Sequence, residues 1–199
     1  MALYPDLVRR SIDELSKLPG IGQKSAERIV FHLLERPKEE TKRLASALFY
    51  MREKIRFCQV CNNFSESEIC PICADADRDK SVLCIVERPS DVSVIEKAGY
   101  YRGVYYVLLG SLSPVDEGKK ALNLTKLKKI LESNLVREVI IATDADSEGE
   151  ITALYLQEFL SSYPVSISRI GMGIPVGANI EYMDAVTIAK AIEARTRIR

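Results

Sequence analysis

Two Cys-x-x-Cys pairs, Cys58-Gln-Val-Cys61 and Cys70-Pro-Ile-Cys73, stand eight residues apart in a stretch with no other means of folding. Residues 58–80 also carry Glu66, Glu68, Asp75, Asp77 and Asp79 and show neither helical nor strand periodicity. Such a segment buries too little apolar surface to offset the entropy lost on ordering it, so something must cross-link it. Each Cys-x-x-Cys turn aims two thiolates at one point, and two turns complete a tetrahedron around Zn²⁺. With Cys58, Cys61, Cys70 and Cys73 filling every position, no place is left for a substrate water, so the zinc is expected to be structural. It would contribute about 10 kcal/mol or more to folding the module. Reduced, unpaired thiols are the plainer alternative and a thioredoxin-like redox pair the other. The doubled spacing argues against both, since one pair would suffice for redox work. The fifth cysteine, Cys84, falls in an apolar run and reads as a small core residue.

The flanking segments follow different periods. Residues 5–57 read as three helices: Leu7, Val8, Ile12, Leu15 and Leu18 on the first, Ala26, Ile29, Val30, Leu33 and Leu34 on the second, Leu44, Leu48, Met51 and Ile55 on the third. From residue 81 strands alternate with helices. Strands are expected over 81–86, 103–109, 138–143 and 165–170. Helices are expected from Ser90 to Gly99, over 126–134, from Ser147 to about Ser161, and over 185–194. Ser90 and Ser147 are the expected caps, Ser147 through a capping box with Glu150. This alternation implies a mostly parallel sheet covered on both faces. The fold class is therefore α+β and multi-module, with boundaries expected at 1–57, 58–80, 81–170 and 171–199.

Lys and Arg number 28 and Asp and Glu number 28, which excludes a uniformly basic nucleic-acid coat and an acidic disordered tail. The zero is a cancellation, because residues 1–57 hold 12 basic and 8 acidic side chains while 81–170 hold 10 basic and 12 acidic. No apolar run approaches the ~18 residues of a membrane span. The first residues lack a signal-peptide layout, so a cytoplasmic protein without a membrane partner is expected.

Within the basic part, Leu18-Pro19-Gly20-Ile21-Gly22-Gln23-Lys24-Ser25-Ala26 joins the first two helices. Gly20 and Gly22 let the chain turn and let a phosphate approach the amides of a helix N-terminus. Lys24 and Arg28 lie four apart on that helix, facing the same strand backbone. Such a grip holds sugar-phosphate and reads no bases, so DNA binding should be sequence-independent. An ordinary αα-hairpin would need Gly for its turn as well. The single His32 reads as a packed or capping residue.

Glu87 directly follows the first of the later strands, and Asp144-Ala-Asp146-Ser-Glu148-Gly149 follows the third. Residues past the carboxyl ends of parallel strands line the crevice where ligands bind. Glu87, Asp144 and Asp146 are thus candidates to hold Mg²⁺, with Glu148 beside them. Acids at a helix start are also favoured by the helix dipole alone, which suffices for Glu148 and Glu150.

A Glu after one strand and Asp-x-Asp after a later one is the pattern of the Toprim fold, shared by type IA topoisomerases, DnaG-type primases and small nucleases. Preceded by a helix-hairpin-helix and a four-Cys module, it resembles the RecR family of bacterial recombination mediators over essentially the whole chain. Matching strings are Leu18–Ala26 with Phe31-His32-Leu33-Leu34, the Cys quartet, Val86-Glu87-x-Pro89-Ser90-Asp91-Val92, Leu112-Ser113-Pro114, Glu148-Gly149-Glu150-x-Thr152-Ala153-x-Tyr155-Leu156 and Gly173-Ile174-Pro175-Val176-Gly177.

The resemblance implies a non-enzymatic DNA clamp. It would be a homo-oligomer, a tetrameric ring, on single- and double-stranded DNA, working with RecO and RecF to load RecA on gapped DNA. Residues 169–184 look like the family's Walker-B-like stretch, but no Gly-x-x-x-x-Gly-Lys-Ser/Thr loop occurs to support ATP hydrolysis. Three departures stand out. Thr143-Asp144-Ala145 replaces the family's common Thr-Asn-Pro, 115–120 replaces a Gly-rich stretch, and Ala178-Asn179 stands where Gly and an acid are usual. The first keeps a second reading alive, a metal-dependent Toprim nuclease acting on DNA or RNA through Glu87, Asp144 and Asp146.

Overall fold

The computed structural model describes residues 4–113 and 122–197. Pro114 and the departure at 115–120 lie outside the described residues. The chain divides into two compact units, one ending at Ile55 and one beginning at Arg56.

The first unit is helical: α1 (Asp6–Ser16), α2 (Gln23–Glu35) and α3 (Lys38–Lys54). Its core is small, as fifty residues dictate: Ile12, Ala26 and Val30 are buried, with Tyr4, Val8, Leu15 and Ile21 packed around them. These side chains come from α1, α2 and the segments that adjoin them. No residue of α3 is buried, and Leu44, Leu48, Phe49, Tyr50 and Met51 are all exposed. The apolar stripe expected on α3 is therefore present but finds no partner within this unit.

The second unit begins with a two-stranded ribbon, β1 (Arg56–Phe57) paired antiparallel with β2 (Phe64–Ser65), and a single helical turn, α4 (Pro71–Ala74). It continues as β3 (Asp79–Val86), α5 (Pro89–Ala98), β4 (Gly103–Val107), α6 (Thr125–Glu132), β5 (Glu138–Ala142), α7 (Ser147–Leu160), β6 (Ser166–Arg169), a 3₁₀ turn (Ile180–Tyr182) and α8 (Ala185–Glu193). The main sheet has the order β4-β3-β5-β6 and every pair is parallel, as the alternation predicts. Period-two alternation in β3 splits the core between the two faces. Leu83 and Ile85 pack with Leu127, Leu131, Leu156 and Leu160, whereas Cys84 and Val86 pack with Tyr105, Val107 and Val92. Cys84 is a core residue, 3% exposed.

Two expected caps are corrected. The residue flanking α5 is Arg88, with Pro89 at the first helical position. The Asp91 carboxylate accepts from the Arg88 N–H at 2.7 Å, and Ser90 Oγ donates to Asp91 instead of capping. At α7 the cap is Asp146, whose Oδ1 accepts from the Gly149 N–H at 2.8 Å, and Ser147 is already helical. Asp and Ser are comparable N-caps, so adjacent candidates compete and the backbone decides. β3 also starts two residues before Ser81, where Asp79 meets Gly103 of β4. His32 is exposed in the last turn of α2 and is not packed.

Candidate functional site

The four-cysteine centre is built by two local turns. After β1, the Cys58 N–H donates to Asn63 O at 2.7 Å and the Asn62 N–H to Cys58 O at 3.1 Å, closing the first knuckle. Asn62 takes φ +63°, the left-handed region that Asn tolerates better than most residues. In the second knuckle Cys70 flanks α4, and the Ala74 N–H donates to Cys70 O at 3.0 Å. All four Sγ atoms lie within 4.8 Å of one another, Cys61 and Cys70 being 3.6 Å apart. A tetrahedral Zn²⁺ with ~2.3 Å bonds requires sulfurs about 3.8 Å apart. Main-chain N–H groups point at sulfur as well: Cys70 N–H at 3.3 Å from Cys58 Sγ and Asn63 N–H at 3.5 Å from Cys61 Sγ. The hydrogen bond shared with Cys70 pushes the Cys61 thiol up to about 12, and the bonds to Cys61 and Cys70 raise Cys73, with burial adding to both, while the same bonds hold Cys70 low. Four thiolates at this spacing need a cation between them. The donor set fits Zn²⁺ held by Cys58, Cys61, Cys70 and Cys73.

This module is tied to the edge of the main sheet. The Val107 N–H at the end of β4 donates to Cys61 O at 2.8 Å, and Asn62 Nδ2 donates to Val107 O at 2.9 Å. Lys126 Nζ on α6 donates to Cys58 O at 3.1 Å and to Asn62 Oδ1 at 2.7 Å. The knuckle thus supplies the edge of β4 with the partners a further strand would have offered. Beyond α4, Arg78 pairs with Glu96 of α5, and Tyr105 Oη donates to Glu96 Oε1 at 2.6 Å. The Arg78 guanidinium, with help from Tyr105, holds the Glu96 carboxyl below the usual carboxylate range. Asn62 and Lys126 are absent from the sequence-based expectations. The only local signal was an Asn directly after a knuckle, whereas their partners lie 45 and 64 residues away.

In the helical unit, the turn between α1 and α2 has Gly20 at φ +78°, a conformation that favours glycine. Gly22 is different: it flanks α2 in an extended conformation, and a Cβ there would meet nothing within 4 Å. No side chain caps α2 and no acid occupies its first turn, so the positive end of the helix is left uncompensated. Lys24 and Arg28 are both exposed on it, one turn apart.

The carboxylates stand where the strands predict, Glu87 after β3 and Asp144 and Asp146 after β5. Glu87 is 2% exposed, and its Oε1 accepts from the Asp144 N–H at 3.1 Å. Burial first, then the neighbouring Asp144 and Asp146, raises its pKa above the ordinary carboxyl value. Asp144 faces Arg88 at 3.6 Å, Asp146 caps α7, and Glu148 accepts from Ser111 Oγ at 2.8 Å. Among the described residues, only the Cys quartet gathers three or more ligand atoms within 4.8 Å of one another. The structure does not bring Glu87, Asp144 and Asp146 into one ligand set.

Family models match in the order of these modules: the RecR helix-hairpin-helix over 8–50, the RecR four-cysteine zinc finger domain over 55–75, the Toprim domain over 81–171 and the RecR C-terminal segment over 173–196. Recombination protein RecR of Pelotomaculum thermopropionicum is 46% identical over 200 residues, covering 100% of both chains. The chain belongs to the RecR family. The same-named proteins of Desulforudis audaxviator, 46% identical over 98% of this chain and 99% of its own, and of Leifsonia xyli subsp. xyli, 45% identical over 98% and 100%, are similar to it from end to end. The RecR zinc-finger match falls on the quartet that the geometry gathers, and the RecR hairpin match spans Gly20 to Arg28. No helix among the described residues is long and apolar enough to cross a membrane.

Proposed function

We propose that this RecR-family chain is a recombination mediator that binds DNA through the α1–α2 hairpin and closes around it as a homo-oligomer, a tetrameric ring, acting with RecO and RecF to load RecA on gapped DNA. The observation that carries the reading is the α2 N-terminus: uncapped, with no acid in its first turn, bordered by open space at Gly22 and followed by exposed Lys24 and Arg28. Such an end accepts phosphate from single- or double-stranded DNA without reading bases. Two cations per chain give weak, salt-sensitive binding, and joining several hairpins in one closed assembly raises the grip through effective concentration. The exposed apolar row on α3 supports self-association. The boundaries 1–57, 58–80, 81–170 and 171–199 remain our division of labour: DNA hairpin, zinc brace, Toprim body and C-terminal segment. The deciding experiment is mass in solution with and without DNA. A closed oligomer that retains DNA supports the reading, and a monomer at working concentration overturns it.

A Mg²⁺ ion at Glu87, Asp144 and Asp146, with Glu148 nearby, finds support in the placement of these acids past the strand ends. Against it stand the separate partners each already has, which favour Asp144, Asp146 and Glu148 as carboxylates for a basic partner surface. The same separation disfavours the nuclease reading, which needs the acids on one metal. Cleavage of nicked DNA in Mg²⁺ or Mn²⁺ that disappears in Asp144→Ala would reverse this preference.

A further inference from the structure

Between the zinc module and α6 lies a groove of about 490 Å³. Its floor is apolar, made by Leu83, Val104, Ile130 and Val136, with Val60 of the first knuckle on one wall and Leu135 on the rim. Lys80, Lys126 and Lys129 also line it, and among the described residues no Asp or Glu does. Among the described residues, no carboxylate neutralises the charge on these lysines. Lys128, on the same helix, pairs with Glu132, but among the described residues none of the three groove lysines forms an ion pair. The Lys126 ammonium is fixed by two uncharged oxygens, Cys58 O and Asn62 Oδ1, so its charge is preorganised rather than cancelled. Lys80 and Lys129 are exposed.

An apolar slot with a ring of uncompensated cations complements one kind of occupant. We propose that this groove is a docking site for an acidic peptide segment of a partner protein, anchored by one or two large apolar side chains and flanked by carboxylates that meet Lys80, Lys126 and Lys129. The volume suits side-chain anchors, and the apolar floor does not suit a nucleic acid strand, whose phosphates take polar donors and whose bases take exposed stacking faces. The zinc knuckle forms a wall, so the metal would shape the slot as well as fold the module. None of the lining residues belongs to α2 or to the acids after β3 and β5.

The test uses full-length, zinc-loaded protein and a library of fluorescein-labelled heptapeptides, each with four carboxylates around one varied apolar residue. Fluorescence anisotropy should give saturable binding that prefers Leu or Phe to Ala at the anchor. Binding should weaken at least tenfold in Lys129→Glu and in Leu135→Asp, both at exposed positions that leave the core intact. Lys24→Glu, in the helical unit, should leave it unchanged. No member binding below about 1 mM overturns the proposal, as does binding indifferent to Leu135→Asp. Loss of oligomer mass in Leu135→Asp would assign the groove to a second copy of the chain. Loss of DNA binding in Lys129→Glu with peptide binding retained would assign these lysines to nucleic acid; either result also overturns the proposal.

Discussion

A Cβ added to Gly149 would collide with the main-chain carbonyl oxygen of Asp144. The first turn of α7 lies directly against the loop that leaves β5, and the Thr143 hydroxyl, donating to Gly149 O at 2.9 Å, keeps it there. No rotamer relieves the clash, because the obstructing atom is main chain. Gly149→Ala must push the Asp144–Asp146 loop away from α7, at a cost of about 3 kcal/mol. Thermal denaturation should show Tm lowered by roughly 6–12 °C. A variant melting within a degree of the parent would mean that the loop yields freely.

The metal centre makes a second prediction. Purified protein should carry one zinc per chain, and Cys70→Ala or chelation should release the knuckles from β4, since the Cys61 and Asn62 bonds to Val107 depend on the knuckle holding its shape. Proteolysis should then cut within 58–78, and Tm should fall, with as much as ~10 kcal/mol of module stability removed. Asn62→Ala keeps the thiolates but removes the bonds to Val107 and Lys126. It should retain zinc and lose about 1–2 kcal/mol. Metal-free protein with unchanged melting and unchanged proteolysis would rule out a structural zinc.

Two carboxyls should respond to pH in opposite senses. Glu87 is raised, so its folded state favours the neutral form: the stability it contributes is complete below the unfolded value of about 4.3 and is lost as pH rises through the folded value. Glu87→Gln keeps an acceptor for the Asp144 N–H and cannot ionise. It should melt with the parent near pH 4 and increasingly above it toward pH 7. Glu96 is depressed by Arg78, so its contribution is present above about 4.3 and is lost as pH falls through the folded value. Glu96→Gln should be less stable than the parent at pH 7, with the gap closing in acid. Melting curves from pH 3 to 8 check both, and parallel curves for Glu87→Gln and the parent would contradict the burial argument.

Much of this was legible in the sequence where chemistry and period coincide. The Cys quartet announces its own geometry, and the alternation after residue 81 yields the parallel order because buried strands and covering helices have different periods. What the sequence did not disclose depends on distance through space. Asn62 and Lys126 matter because β4 ends beside the knuckle, and nothing within a few residues of either encodes Val107. Glu87 reads as a cleft acid from its place after a strand, yet its near-complete burial and its bond to the Asp144 main chain are tertiary facts. Ser147 misled because it adjoins Asp146, an equally good cap, and Ser90 because Pro89 opens the helix one residue earlier and Asp91 reaches back to the Arg88 N–H.

The two glycines of the α1–α2 turn separate folding from DNA binding. Gly20 sits at φ +78°, where an L side chain is strained, so Gly20→Ala should cost about 1–2 kcal/mol. Gly22 has an extended backbone and free space around its missing Cβ, so nothing inside the chain requires glycine there. Gly22→Ala should therefore leave Tm within about a degree. If phosphate approaches the α2 amides as closely as proposed, the added methyl would meet the DNA instead, and affinity should fall severalfold with no change in fold. Lys24→Glu with Arg28→Glu should go further, abolishing binding at 150 mM salt. Lys24→Ala with Arg28→Ala, which still binds at low salt, should reduce the slope of log affinity against log salt by about two per engaged chain. Electrophoretic mobility shifts on single-stranded and duplex oligonucleotides, run beside the melting curves, give both readouts. A Gly22→Ala protein that folds and binds like the parent would move the DNA contact away from this helix end.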